Sequence, residues 1–346
     1  MRICALIASA LLLAANAGDG VAKGEGPTSI AAGFGSLWVG MGNGDVLRFD
    51  AESGRQEARL KSGPTGFVHG LAVGYDAVWV VRDRVTRVDP RRNATRDIPK
   101  TGSATAFGIA AGAGSVWVSD DGSNEILRID PDQARLLARI RIPGRAWGVA
   151  AGPGNVIVVS VPTEGPVSGP GGARFLRRLD PETNELSAPL ARLTCDVGVA
   201  VGSDAIWTLD ACTGILARRD PHTLKLGRQK AMHVLSQTPV LGFGSLWLAR
   251  RGGTLRVDPT TLRVLADIPA RSVTVAVGSG YVWALDVGGA RRRPSVRKID
   301  PRTNRVVGSP VFLAANHSVV QQTSRELSDA QSGAQGRRDC RRRSGL

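Results

Sequence analysis

The sequence predicts an all-β fold, and more narrowly a seven-bladed β-propeller of four-stranded antiparallel blades. Three observations lead there. A segment that is clearest at residues 109–131, IAAGAGSVWVSDDGSNEILRIDP, occurs in seven variants, at 30–50, 71–90, 109–131, 149–181, 199–221, 240–259 and 275–301. Tryptophan marks one place in six copies, as Trp38, Trp79, Trp117, Trp207, Trp247 and Trp283, with Ile157 in the fourth. Aspartate marks another place in all seven, as Asp50, Asp89, Asp130, Asp180, Asp220, Asp258 and Asp300, each with Arg or Lys two residues earlier. Four short strands repeating about every 40 residues are the pattern of propeller blades.

Each element of the unit follows from its residues. IAAG, 109–112, is short, apolar and bounded by glycine, which suits a buried strand rather than a helix. Gly112 and Gly114 suit a tight hairpin turn, because positive φ costs glycine little. SVWV, 115–118, is a second strand, built on an aromatic and β-branched residues. Residues 119–125 are polar with Gly and Asn, a loop. ILRID is a third strand, with Arg128 and Asp130 on one face and Leu127 and Ile129 on the other. Asp130-Pro131 turns the chain, and ARIRI, 138–142, alternates as an outer strand. The basic residues before the aspartates (Arg48, Arg87, Arg128, Arg178, Arg218, Arg256 and Lys298) read as parts of the blade, repeated because the blade repeats.

The pattern G-x-G-S-[LV]-W-V…[VIL]-x-R-[IV]-D-P-x-T resembles the YVTN and virginiamycin B lyase-like group of seven-bladed propellers, related to NHL repeats. The likeness covers nearly all of residues 30–312. It implies a ligand site around the central channel, on the face that carries the inter-blade loops and the loops between second and third strands. It implies no single activity, since that group mixes binding proteins, sensor domains and a lyase. A lyase of this kind needs a general base and a group that stabilises enolate-like charge, often with a metal, here Mg2+. The enzyme of the group carries W-F-T-E strands that place acids beside the channel. This chain has no Glu there, and only Asp210 and Asp286 come near. Its four histidines, His69, His222, His233 and His317, are scattered. The reading is therefore a binding or interaction module, with a lyase-like or remnant enzyme as the alternative. No Ser/His/Asp order, P-loop, zinc spacing or quinoprotein signature is present, so no cofactor is expected.

The ends read as processing segments. Arg2, the apolar run Ile3–Ala15 and Ala15-Asn16-Ala17 form a Sec-type signal peptide, residues 1–17, cleaved after Ala17. The protein is then secreted or periplasmic, in an oxidising compartment. The propeller occupies 18–313 as one domain, and Val21–Lys23 aligns with the end of an outer strand. Residues 314–346 are polar and Arg-rich without periodicity, a disordered basic tail. No later apolar run is long enough to span a bilayer. The formal charge is +15. Removing Arg2 and the six Arg and three acids of residues 325–346 leaves about +11, which favours an anionic ligand or surface. No nucleic-acid module is visible. The expected partner is a small molecule, glycan or protein, and the expected state is a monomer.

Two features locate chemistry. With Val201 opposite Ile206, paired residues in blade five sum to 407, and Cys195 and Cys212 share that sum. They face each other across neighbouring strands and are expected to form a disulfide rather than a metal site. The residue that enters each inner strand is in order Thr28, His69, Phe107, Trp147, Val197, Thr238 and Val273. Three consecutive blades thus offer His69, Phe107 and Trp147 as an aromatic-walled pocket, and the repeat itself does not require Trp147. Arg82, Arg84, Asp120, Asp121, Asn124 and Arg145 lie in nearby loops as polar contacts.

Overall fold

A computed structural model describes residues 26–313 except 62–66, 103–105, 164–172, 194, 196, 233, 235–237, 251 and 290. These residues form seven four-stranded antiparallel sheets and no helix, a seven-bladed propeller. The blades span 27–60, 70–97, 106–141, 145–193, 197–231, 240–268 and 274–312. Strands pair in sequence order within each blade. The first strands of consecutive blades touch around the ring, and that of blade seven touches that of blade one. The ring therefore closes between blades that are each complete in themselves. Residues 1–17, read from the sequence as a signal segment, Val21–Lys23 and residues 314–346 lie outside the described residues. Among the described residues no helix is long and apolar enough to cross a membrane.

Blade three shows how the unit differs from its sequence reading. The second strand runs Ser115–Asp120 and the third Glu125–Asp130, so the expected 119–125 loop shrinks to 121–124. The extra residues are polar and buried but bonded: Ser119 Oγ accepts from the Gly108 N–H at 2.9 Å, and Asp120 accepts from the backbone N–H of Gly122 at 3.1 Å and the Ser123 hydroxyl at 2.7 Å. Polarity marks a loop only when no partner is available inside the sheet.

The Gly-x-Gly also divides its work differently. Ala113 and Gly114 take the positive φ of the hairpin, at 47° and 74°, as do Phe34 with Gly35 and Phe243 with Gly244. That is the backbone of a type I′ turn. Gly112 is needed for another reason: a Cβ there would lie 2.9 Å from the backbone of Ala151 in blade four. The same obstruction recurs for Gly33 against Val73, Gly74 against Ala111, Gly152 against Val201, Gly242 against Val277 and Gly278 against Ala32. The last pair joins blade seven to blade one. In blade five the contact is internal instead, with Gly202 against the Trp207 ring.

The six repeat tryptophans are buried between blades. Five of them donate from Nε1 to the carbonyl of the glycine five residues earlier, at 3.0–3.3 Å. Each tryptophan pairs directly with the basic residue of the third strand, as Trp38 with Arg48 and Trp117 with Arg128. The guanidinium carbons of Arg48, Arg87, Arg128 and Arg256 sit 5.0, 5.9, 5.2 and 5.4 Å from the indole centroids. Three of these arginines reach the next blade. Arg48 Nη1 donates to Pro90 O and Asn93 Oδ1, Arg128 Nη1 to Asn184 Oδ1, and Arg256 Nη1 to Pro301 O and Asn304 Oδ1. Lys298 Nζ closes the ring on Ala51 O at 3.0 Å and Glu52 O at 2.8 Å. Blade five again differs: Trp207 Nε1 itself donates to Pro259 O of blade six at 2.8 Å.

The acceptor turns are shaped by their aspartates. Asp180 Oδ1, for example, accepts the N–H groups of Glu182 and Thr183 at 2.7 and 3.0 Å. Four residues on, the chain passes through positive φ at Gly54, Asn93, Ala134, Asn184, Leu224, Leu262 and Asn304. Asparagine tolerates that conformation and also supplies the acceptor for the preceding blade's arginine.

Two outcomes are expected. Arg87 Nε is buried with no acceptor among the described residues, because blade two has Ala77 where Ser36, Ser115 and Ser245 accept from the Nε of Arg48, Arg128 and Arg256. Ala77→Ser should therefore stabilise by about 0.5–1.5 kcal/mol in urea unfolding, and an unchanged or lowered midpoint would show that the new hydroxyl does not reach Arg87. The second outcome concerns acid. Turn hydrogen bonds hold six aspartates below their ordinary 3.8: the Ser53 hydroxyl first for Asp50, and a backbone N–H first for Asp89, Asp180, Asp220, Asp258 and Asp300. Their folded pKa is depressed, so their contribution is complete above the unfolded value and disappears as pH falls through the folded one. The urea midpoint should drop below about pH 4, and Asp258→Asn, which keeps the acceptor oxygen, should reduce the drop. An acid limb identical in this variant would assign the loss elsewhere.

Candidate functional site

In a four-stranded meander the inter-blade connections and the loops between second and third strands share one face. The candidate residues gather there. In blades one, three and four the strand-entry residue falls where the register between first and second strands shifts, so Thr28, Phe107 and Trp147 are each the extra residue of a β-bulge. A bulge leaves its residue unpaired in the ladder and re-aims the side chain. The side chain of Phe107 lies outside the described part. Thr28 is buried and its hydroxyl donates to Gly40 O and Val68 O at 3.1 and 2.6 Å. Val197 and Trp147 both pack against the cluster between blades four and five.

Trp147 is half-buried, unlike the six repeat tryptophans. Two guanidinium carbons face its ring, Arg145 at 5.8 Å and Arg174 at 4.9 Å. Arg145 is also bound side-on by Asp121, whose Oδ1 accepts from Nε at 2.8 Å and whose Oδ2 accepts from Nη2. That bond raises the Arg145 pKa further. The pair links the loop of blade three to the first strand of blade four. It also leaves the Arg145 charge already matched. Arg174 is the residue sequence reasoning missed. It opens the third strand of blade four, Arg174–Leu179, and it is fully buried.

On the blade-two side the His69 N–H bonds to Val81 O at 2.9 Å although Gly70 is the residue paired with Val81, so His69 is a bulge residue too, and its ring rests against Phe67, centroids 5.0 Å apart and tilted 52°. Burial pushes its pKa down. Arg84 is exposed and pairs with Asp83 at 3.0 Å and Asp97 at 3.5 Å, contacts of small worth in water. Arg82 is buried, and burial lowers its pKa. Asp120 shapes the 121–124 loop through the bonds given above. The described residues thus form one group, Asp121–Arg145–Trp147–Arg174, and a separate Phe67–His69 ring pair, rather than one continuous aromatic wall.

Cys195 and Cys212 form the disulfide, with Cα atoms 6.0 Å apart. The blade-five register pairs Val197 with Asp210 and Val201 with Ile206, the constant sum extended to the cysteines. The bridge ties the connection into blade five to its own 211–214 loop. Among the described residues one group of three metal-type ligands exists, Cys195, Asp210 and Cys212, and two of the three are spent in the bridge. The acids nearest to a catalytic position are committed as well. Asp210 Oδ1 accepts the N–H groups of Cys212 and Thr213 at 3.0 and 2.9 Å. Asp286 Oδ2 binds Arg292 at 2.5 Å and lies 3.7 Å from Arg271.

No protein-family model and no curated protein matches the sequence. Solved structures do. The computationally designed Ika8 protein aligns with TM-score 0.60 and 13% identity, over 85% of this chain and 90% of that one. The WD40 domain of Neurospora crassa Pan2 aligns with TM-score 0.55 and 11% identity, over 80% and 87%. A chain of a nidogen/laminin complex aligns with TM-score 0.51 and 14% identity, over 70% and 96%. At these identities the likeness establishes the propeller fold alone.

Alkylation of the purified protein without reductant should leave Cys195 and Cys212 unlabelled by intact mass. Reduction should cost about 3 kcal/mol for a loop of this size, their separation being 17 residues. Labelling of both thiols in unreduced protein would remove the bridge.

Proposed function

We propose that this protein is an exported binding module of the cell envelope whose ligand sits on the loop face at the channel mouth, where blades two, three and four meet. The observation that carries the reading is Trp147. It is half-buried on a bulge and attended by two arginines, while the repeat tryptophans are sealed between blades. A partly exposed indole framed by guanidinium groups offers a stacking face and a polar rim, which suits a planar or sugar-like ligand. His69 and Phe107 extend that surface toward blade two in this reading. The disulfide supports an oxidising compartment, and the signal-like residues 1–17 support export.

The resemblance to the YVTN and virginiamycin B lyase-like group fits such a module. A Mg2+-assisted lyase is the less favoured reading, because Asp210 and Asp286, the acids closest to the required place, are held in turn capping and ion pairs.

A thermal-shift screen of glycans, metal ions and small aromatic compounds should return a ligand whose shift disappears in Trp147→Ala. That variant should unfold cooperatively and lose less stability than Trp117→Ala, for which about 3–5 kcal/mol is expected. Equal destabilisation with binding intact would make Trp147 a channel plug and overturn the proposal.

A further inference from the structure

We propose that the mouth face at blade seven is a docking surface for a bilayer rich in anionic phospholipid, built from Arg271, Arg291, Arg293 and Phe312. It stands across the ring from blade four and does not use Trp147, so it goes beyond the reading above and is tested apart from it. The loop between the second and third strands of blade seven runs 287–294 and has eight residues. In blades one, two, three, five and six the same loop has two to four. Arg291, Arg292 and Arg293 are consecutive in it, and all three are exposed.

The three arginines are not equivalent. Arg292 holds the loop together: its Nη1 donates to Asp286 Oδ2 at 2.5 Å and its Nη2 to Gly288 O at 3.1 Å. Its backbone N–H donates to Gly289 O, and its carbonyl accepts from the Gly289 N–H, both at 3.0 Å. Asp286 Oδ1 accepts the Gly288 N–H at 3.0 Å, and Gly288 passes through positive φ at 82°. A Cβ there would lie 2.5 Å from Arg292 O. Arg291 and Arg293 take no part in this frame and have no ion pair or hydrogen bond among the described residues. Other arginines on this face are matched: Arg84 by Asp83, Arg145 by Asp121 and Arg250 by Asp267.

Asp286 also fixes where the charge lies. It is buried, and Arg271 Nε, from the connection out of blade six, approaches its Oδ2 at 3.7 Å. Asp286 pairs with Ser295 and Ser295 with Phe312, and paired residues share a face, so Phe312 stands in line with Asp286. Alternation from Val282 and Ala284, which pack against blade six, puts that row on the blade-six side. Phe312 is 61% exposed, the most of the large hydrophobic residues described. Four arginines, at 271 and 291–293, against the one aspartate leave a local charge of +3 beside an exposed aromatic ring.

This arrangement suits a flat anionic surface better than a small anion. Small ligands are held in concave sites. Here three consecutive exposed residues, on a loop at least twice as long as those counterparts, stand out from the face. A guanidinium meets phosphate oxygens with two parallel N–H groups, and neither Arg291 nor Arg293 gives up a partner to do so. Each basic residue near an anionic leaflet adds to the attraction, and Phe312 adds apolar area that a headgroup layer covers. A highly charged soluble polymer gains from the arginines but little from the ring, so Phe312 favours the bilayer.

The test uses the full chain and sucrose-loaded vesicles, of phosphatidylcholine alone or with phosphatidylglycerol, in a sedimentation assay. The protein should sediment with the phosphatidylglycerol vesicles and far less with phosphatidylcholine alone, and added salt should weaken the binding. Arg291→Gln combined with Arg293→Gln should lower the affinity by about tenfold, and Phe312→Ser should lower it at every salt concentration. Arg91→Gln combined with Arg92→Gln removes the same charge from exposed residues in a turn on the opposite face. That variant should bind as wild type does, and so should Trp147→Ala. The proposal falls if the two vesicle types bind alike, if the Arg291/Arg293 or the Phe312 variant binds like wild type, or if the Arg91/Arg92 or the Trp147 variant loses as much as the loop variant. It also falls if soluble dextran sulfate binds through Arg291 and Arg293 while vesicles do not, which would make the partner a polyanion in solution. None of these outcomes bears on Trp147-dependent binding of a screened ligand, so the two readings fail separately.

Discussion

A basic side chain on the third strand that reaches the turn of the next blade, stacked in blades one, three and six on its own tryptophan, is the contact on which the ring depends. The blades are separate meanders, and no backbone ladder crosses from one to another among the described residues. Cohesion therefore rests on side chains and on the buried faces between blades. An arginine over an indole is worth about 0.5–2 kcal/mol, and a hydrogen bond to a turn about 0.5–1.5 kcal/mol. Against a net stability of about 5–15 kcal/mol for a domain, each joint matters. The joint from blade seven to blade one carries the most burden, since it closes a ring with no covalent link. There Lys298 grips two carbonyls, Tyr281 meets Glu52, and Gly278 lies against Ala32.

The repeat is not uniform, and its exceptions have local causes. Asn93, Asn184 and Asn304 are the turn asparagines that receive an arginine from the preceding blade. Where that position is Leu224, Arg178 bonds to the carbonyl of His222 instead. Where it is Leu262, the preceding arginine turns back to Asp204 of its own blade, and Trp207 takes over the contact to Pro259. One missing acceptor thus redirects two side chains. The inner glycines act in the same economy of space. Near the axis seven first strands converge, and a methyl group at most of those positions would strike the next blade.

The distribution of partners changes the meaning of the high positive charge. Much of it is internal: the third-strand residues join blades, and Arg59, Arg145 and Arg250 hold aspartates. Net charge alone favours anionic ligands in general. The geometry separates arginines whose bonds are made from the buried Arg82, whose fork is not. It also separates the sealed tryptophans from the half-buried Trp147. At the mouth, a residue's accessibility and remaining bonding capacity decide what it can recognise.

The spacing of tryptophans and aspartates determined the blade count, the strand order and the burial of the tryptophans, because period and alternation are local properties of the chain. The Cys195–Cys212 pair was legible for the same reason: register within one hairpin is arithmetic. The role of Gly112 was not, since its obstruction comes from Ala151 in another blade. Nor was the extension of strands through Ser119 and Asp120, which depends on bonds across the sheet. His69, Arg82, Arg145 and Trp147 could be placed at the mouth from the repeat. That Arg145 is matched by Asp121, that Arg174 lies under Trp147 and that Arg82 is left unmatched depended on which neighbouring side chain reached each partner first. Sequence fixes what lies along a strand; competition among side chains from different blades is settled only when the ring is closed.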